Sequence, residues 1–198
     1  GSQAPGGGAP ALIGEFGIPF DLDGGAAYEA WGQGDRSAKP WASHIQALTL
    51  MYDALDELLL HSTQWNYTAS NRNDLAIGDG WNQEDLSIWS ADQSTGDNDP
   101  DSGGRAVAGF ARPFVRVWAG RPISQKFDSV TGRFRAELTL ETGIGDIEIY
   151  APERLYPGGP AIEIEGPGKA VYDATSQIVR VTPKAEALLT IRLTPKKG

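Results

Sequence analysis

The sequence contains no cysteine, so neither a disulfide framework nor thiolate chemistry is available to it. Basic residues are scarce as well: 17 Lys and Arg stand against 26 Asp and Glu, which gives a formal charge of -9 and a pI near 4.7. A surface of that sign does not neutralise a phosphate backbone, which excludes nucleic acid as the expected partner, and an anionic bilayer repels it on average. No run approaches the ~20 apolar residues of a membrane-spanning helix, and no charged-then-apolar secretion signal is visible. Internal repeats, a phosphate-cradling glycine motif, a metal-ligand cluster and a Ser-His-Asp arrangement are also missing.

What is present describes a folded chain rich in turns. Apolar residues make up 40%, and Trp, Tyr and Phe occur six times each, enough for a sizeable core in 198 residues. The 25 glycines and 13 prolines point to short elements joined by many loops rather than to a helical bundle. One stretch stands apart. In Ala11-Leu-Ile-Gly-Glu-Phe-Gly-Ile-Pro-Phe-Asp21 an apolar run ends in a lone carboxylate flanked by glycines. Ala11, Leu12 and Ile13 read as a fully buried strand of the parallel kind, with Gly14 to Gly17 at its C-terminal end. Glycines there let the chain bend and let a ligand approach. On these residues Glu15 is open to two readings: a strand-end group paired with an arginine or capping a helix, or a catalytic carboxylate.

Asp21 to Trp41 carries loop glycines and no sustained period, so it reads as a long loop bearing Tyr28, Trp31 and Trp41. Ser43 and Gln46 have the spacing of a capping box. Ile45, Leu48, Met51, Tyr52, Leu55, Leu58 and Leu59 then recur at helical intervals while Asp53, Asp56 and Glu57 face away. His44 and His61 lie at the two ends of this helix and read as solvated. The β-prone run Ser62-Thr-Gln-Trp-Asn-Tyr67 leads into a long polar loop. In that loop Glu84 and Asp85 read as acceptors for backbone N–H groups. Asp97, Asp99 and Asp101 read as solvated, since Pro100 interrupts the calcium-loop spacing they otherwise suggest.

Val107, Phe110, Ala111, Phe114 and Trp118 share a helical face, which predicts a helix over 105–118 with Arg105, Arg112 and Arg116 on its exposed side. From Gly120 the period changes to two. Runs at 123–127, 134–140, 147–150, 161–164, 170–172, 178–181 and 188–193 are separated by Gly, Pro and Asp turns, the pattern of a small β-sandwich. Tyr150, Tyr156 and Tyr172 are its candidate aromatic platforms.

The motifs carry a family resemblance. Leu12-Ile-Gly-Glu-Phe-Gly-Ile-Pro-Phe20 resembles the seventh-strand nucleophile motif of glycoside hydrolase family 5. Trp65-Asn-Tyr67, together with Gly78-Asp-Gly-Trp-Asn-Gln-Glu-Asp-Leu-Ser-Ile-Trp-Ser90, is similar to a pattern of its endoglycoceramidase-like subgroup. The resemblance implies an α/β plus all-β chain, with residues 1–119 as the last two βα units of a (β/α)8 TIM barrel and 120–198 as a C-terminal β-sandwich domain. A complete barrel takes ~250 residues, so the expected partner is a second chain from the same precursor, an N-terminal barrel fragment.

For chemistry, the resemblance implies a retaining glycosidase with Glu15 as nucleophile and the acid/base glutamate outside this chain. Trp65 becomes a platform under the sugar, with Asn66 and Tyr67 beside it. Trp81 and Trp89, with Leu75, Ile77 and Leu86 as neighbours, form a groove for an apolar aglycone, and Asn82 holds polar groups near it. No metal and no cofactor are required. The implied reaction is hydrolysis of the bond between oligosaccharide and ceramide in a glycosphingolipid, by a secreted enzyme in transient contact with a lipid surface or micelles. The alternatives are a glucosylceramidase or steryl-β-glucosidase of the same family, or a non-catalytic carbohydrate-binding subunit.

Overall fold

A computed structural model describes residues 11–81, 83–141, 143 and 145–196. They gather into two compact units, one of residues 11–52 and 60–110, the other of 53–59 and 111–196.

In chain order the first elements are strand β1 (Leu12–Phe16), helix α1 (Leu22–Gly32), helix α2 (Ala42–Glu57) and strand β2 (His61–Gln64). β1 and β2 pair in parallel, as strands joined by a helical crossover do. The expectation of a fully buried β1 does not hold in this chain, where Leu12 is 61% and Ile13 38% exposed. A parallel strand is buried only when strands flank it and helices cover both faces, and among the described residues β2 is its one strand neighbour. The segment read as a long loop contains α1. Asp23, Gly24 and Gly25 sit in the left-handed region at φ 56°, 65° and 77°, which interrupts any helical period at its start. α2 begins at Ala42, running on from a 3-10 turn over Lys39–Trp41, so Ser43 lies inside the helix rather than at its N-cap.

Ile18, Phe20, Trp41, Leu48 and Ala106 form the core of this unit. His44 belongs with them, contrary to its solvated reading: it is buried, stacked on the Phe20 ring at 5.5 Å and edge-on to Trp41 at 5.1 Å. Proximity to a helix end does not decide which way a side chain faces, and residues 44 and 48, one turn apart, share the inward face.

A second correction concerns Arg105, read as exposed and in fact wholly buried. Its guanidinium meets Asp85 with both terminal nitrogens, at 2.7 and 2.5 Å, and donates to the Ser87 carbonyl through Nε at 3.1 Å. It lies over the Phe20 ring at 4.7 Å. Asp85 also accepts from the Tyr28 hydroxyl and, at 3.2 Å, from Asn71. Asp85 therefore braces its loop as expected, but through buried side-chain donors, while its own backbone carbonyl accepts from Phe20 N at 2.6 Å. Burial and the Asp85 hydrogen bond push the Tyr28 phenol well above its ordinary range, keeping it a donor.

In the second unit, strands β3 (Phe114–Val117), β4 (Gly120–Asp128), β5 (Arg133–Leu140), β6 (Ile147–Tyr150), β7 (Ala161–Glu165), β8 (Gly168–Asp173), β9 (Ile178–Pro183) and β10 (Leu188–Thr194) form two antiparallel sheets. Their orders are β4-β5-β10-β7 and β3-β6-β9-β8. Alternation places Phe134, Ala136, Leu138 and Leu140 of one sheet and Ile147, Ile149, Val179 and Val181 of the other in a single apolar cluster. The β4–β5 turn is held by Asp128, whose carboxylate accepts from Val130 N and Thr131 N at 2.9 and 3.1 Å. Tyr156 is buried with its hydroxyl donating to the Gly132 carbonyl at 3.0 Å, and Tyr172 donates to the Ala151 carbonyl at 3.4 Å. Both rings are thus tied into the unit rather than offered as platforms.

The helix expected over 105–118 is absent: a 3-10 turn spans Val107–Gly109 and β3 follows. Ala106 takes φ 51°, and Pro113 lacks the N–H a continuing helix needs. Arg112, read as exposed, is buried and pairs with Asp53 and Asp56 at 2.7 and 2.8 Å. Asp56, read as facing away, is likewise buried, and burial raises its carboxyl while Arg112 opposes the shift. Arg116 is exposed as read, beside Glu148 at 3.6 Å.

Replacing Arg105 by Ala strands a buried carboxylate and is expected to cost about 3–5 kcal/mol in urea unfolding, against about 0–1 kcal/mol for Arg116→Ala. Equal small losses for the two variants would show that the Arg105–Asp85 pair does not hold the fold. A pH effect is expected from His44, whose ring burial pushes below its usual pKa. The unfolded chain then binds the proton more readily, so stability is full above the unfolded value of about 6.5 and declines as pH falls below it. His44→Leu should flatten the fall in melting temperature between about pH 7 and 5, and parallel curves for the two proteins would contradict this.

Candidate active site

Glu15 owes its position to a β-bulge. Ile13 pairs with Ser62 and Phe16 with Gln64, so Gly14 and Glu15 together oppose Thr63 alone. Such an insertion bends the strand and re-aims a side chain. The Thr63 hydroxyl donates to the Gly14 carbonyl inside the bulge. Glu15 is exposed and has no ion-pair partner among the described residues.

One residue beyond the bulge the two chain segments lock together. Trp65 N donates to the Phe16 carbonyl at 2.7 Å, and a Cβ on Gly17 would overlap the Trp65 carbonyl oxygen. Close backbone approach therefore requires glycine at position 17. The Trp65–Asn66 peptide is cis.

An open cleft of about 460 Å³ lies at the end of β2, lined by Gln64, Trp65, Asn66, Tyr67, Thr68, Asp79, Gly80 and Trp81. Trp65 and Trp81 meet edge to face with ring centroids 6.5 Å apart, giving the cleft an apolar wall. The polar wall is also built. Asn66 donates from Nδ2 to Asp79 at 2.6 Å, and the other Asp79 oxygen accepts from Trp81 N at 2.9 Å, so one carboxylate ties the strand end to the loop that carries Trp81. Asn66 is fixed in turn by backbone bonds, N to the Leu86 carbonyl at 3.0 Å and its own carbonyl from Ile88 N at 2.9 Å.

The cleft thus brings together four of the expected residues, Trp65, Asn66, Tyr67 and Trp81. Trp89 does not line it: its indole N–H donates to the Ser102 carbonyl at 3.1 Å and its ring lies 5.9 Å from that of Tyr67. Leu75, Ile77 and Leu86 do not line it either. Asn82 lies outside the described residues. Sequence reasoning missed Gln64, Thr68, Asp79 and Gly80, although Gln64 and Thr68 flank the Trp-Asn-Tyr signal and Asp79 sits between glycines of the second motif. Among the described residues no group of His, Asp and Glu could hold a metal ion.

The glycoside hydrolase family 5 C-terminal domain matches residues 112–193. Over 157 residues the chain is 30% identical to a glucosylceramidase of Rhizopus delemar, a match that takes in 72% of this chain and 22% of that protein. Over 83 residues it is 37% identical to an ergosteryl-beta-glucosidase of Saccharomyces cerevisiae, 42% of this chain and 10% of that protein. Among solved structures, sterylglucosidase 1 of Cryptococcus neoformans superimposes with a TM-score of 0.80 at 29% identity, over 96% of this chain and 29% of that one. Endo-glycoceramidase II from Rhodococcus sp., at 20% identity, a TM-score of 0.61, and 95% and 33% of the two chains, shares the fold. The chain spans about a fifth of the length of the glucosylceramidases it matches. Residues 112–193 are thus those of a glycoside hydrolase family 5 C-terminal domain.

Proposed function

We propose that this chain forms part of a retaining β-glycosidase, contributing the last barrel strands with their loops and the attached β-sandwich. The observation that carries the reading is the bulge that turns an exposed Glu15 out of β1, one residue before the bond to Trp65 at the rim of a tryptophan-walled cleft. A carboxylate at that strand end is placed to attack an anomeric carbon, while a flat apolar ring suits the C–H face of a pyranose. In this mechanism Glu15 displaces the aglycone to form a glycosyl ester, and a second carboxyl first protonates the leaving oxygen and then takes a proton from the attacking water. That second group lies about 5–5.5 Å from Glu15 in a retaining enzyme and is assigned to the strands that complete the barrel, outside this chain. Asn66, held by Asp79, has its amide oriented at the cleft wall.

The proposed substrate is a glycolipid with a β-linked sugar. Cleavage between oligosaccharide and ceramide is one form of it. A second, hydrolysis of glucosylceramide or a steryl glucoside, draws support from the names of the relatives at 30% and 37% identity. Turnover of a lactosyl lipid against that of a glucosyl lipid separates them, because only a cleft open beyond the first sugar accepts the former.

In the full-length protein Glu15→Gln is expected to lower kcat by about four orders of magnitude while substrate still binds. Glu15→Gly supplied with azide should yield the α-glycosyl azide from an activated β-glycoside, since the small anion enters from the vacated face; near-normal turnover of the Gln variant would eliminate Glu15 as nucleophile. Gly17→Ala forces Trp65 away from β1 and is expected to reduce kcat/KM by about a hundredfold through misplacement alone. An unchanged rate would show that this backbone contact does not set the cleft.

A further inference from the structure

Asn66 and Asp79 share a hydrogen bond that the backbone around them does not need. The main chain of Asn66 is already fixed from both sides, by Leu86 and Ile88. The loop of Asp79 is likewise closed by its own backbone: Asp79 N donates to the Glu84 carbonyl at 2.8 Å, Gly80 N to that of Ile77 at 3.1 Å and Glu84 N to that of Trp81 at 3.1 Å. What the 2.6 Å bond from Asn66 Nδ2 to the Asp79 carboxylate adds is a choice of amide orientation. An asparagine amide turns between two nearly isosteric arrangements, with its carbonyl and NH2 exchanged, and the torsion itself favours neither strongly. The Thr68 hydroxyl, 3.2 Å from Asn66 Oδ1, does not decide between them, because a hydroxyl donates or accepts as its neighbour requires. A carboxylate does decide. It offers acceptors only, so a turned amide would set oxygen against oxygen.

With its nitrogen held by Asp79 and its oxygen beside Thr68, the Asn66 amide keeps one N–H that neither of them takes. All three residues line the same cleft as Trp65 and Trp81. A β-glucosyl ring carries C–H groups on its two faces and hydroxyls around its rim, so a ring laid on a tryptophan turns its hydroxyls toward the polar groups beside it. The second Asp79 oxygen accepts from Trp81 N at 2.9 Å. One carboxylate thus sets both the polarity of the Asn66 amide and the backbone position of the neighbouring aromatic wall.

We propose that Asp79 is a positioning residue that holds Asn66 as a donor, so that the free N–H meets a hydroxyl oxygen of the sugar seated against the tryptophans. The proposal rests on the glycosidase reading above, and its test separates the two. Asp79→Asn keeps a carbonyl for Trp81 N but puts an NH2 group where the Asn66 nitrogen needs an acceptor. Combining it with Asn66→Asp exchanges the two side chains. That pair restores every bond within the cluster with donor and acceptor reversed, and leaves a carboxylate where the amide N–H stood.

Full-length wild type, Asp79→Asn and the double variant are compared in thermal melting, in kcat and KM for a water-soluble aryl β-glucoside, and in calorimetric binding of methyl β-glucoside. Asp79→Asn is expected to lower both the melting temperature and, by about tenfold or more, kcat/KM. The double variant should regain the wild-type melting temperature to within about 2 °C while kcat/KM stays at least about tenfold down. A double variant that regains kcat/KM to within about twofold overturns the proposal, since the tether and not the donor then matters. Asp79→Asn with wild-type kcat/KM overturns it too, as does a double variant that melts no higher than Asp79→Asn. If wild type binds methyl β-glucoside without hydrolysing any β-glucoside and the double variant loses that binding, the donor role stands and the glycosidase reading falls. If wild type neither binds nor hydrolyses, both fall.

Discussion

Arg105 lies entirely out of water, and Asp85 meets both of its terminal nitrogens. Much of the first unit hangs on that pair. Ser87 gives its carbonyl to the same guanidinium, so residues 85–87 are held flat against it. Leu86, between them, accepts from Asn66 N, and Asp85 itself accepts from Phe20 N. The bonds therefore run from a buried charge to the segment after β1 and to the segment after β2, the latter lining the cleft. A buried ion pair is a weak source of net stability, but it tolerates few alternative arrangements, because any one that separates the charges leaves an unpaired ion in a low dielectric. Here that intolerance fixes a loop of more than twenty residues, which its own polar composition would not order.

A second constraint acts on the strands. Bulged β1 joins β2 by a register that changes between Ile13 and Phe16, and Gly17 permits the backbone contact with Trp65 that follows. Glycine and bulge act together: the one shortens the distance between segments, the other rotates Glu15 out of the pleat. The exposure of Leu12 and Ile13 is consistent with further strands lying beside β1 in the proposed enzyme, since an apolar parallel edge is a liability in water.

The second unit is organised differently. Its order comes from alternation, with a single apolar cluster between two sheets and the polar residues of β5, β7 and β10 paired outside, as Arg192 is with Glu165 at 2.7 Å. Arg112 repeats at smaller scale what Arg105 does, pairing with Asp53 and Asp56 within this unit.

From the sequence alone came the period-two strands of the second unit and the long helix α2, because burial on one face imposes a repeat that composition cannot conceal. That Trp65, Asn66, Tyr67 and Trp81 are neighbours was legible because they fall in two short motifs, and the folded chain sets them around one cleft. What tertiary structure decided was facing and partnership. Periodicity put Arg105 and Arg112 on the outside of a helix that does not form, and it missed β3, four residues too short to display a period beside Pro113. His44 and Asp56 turned inward because other segments arrived to cover them, and Trp89 became a loop anchor because Ser102 lay within reach of its N–H. A repeat reports which residues share a face; only the folded chain determines what that face meets.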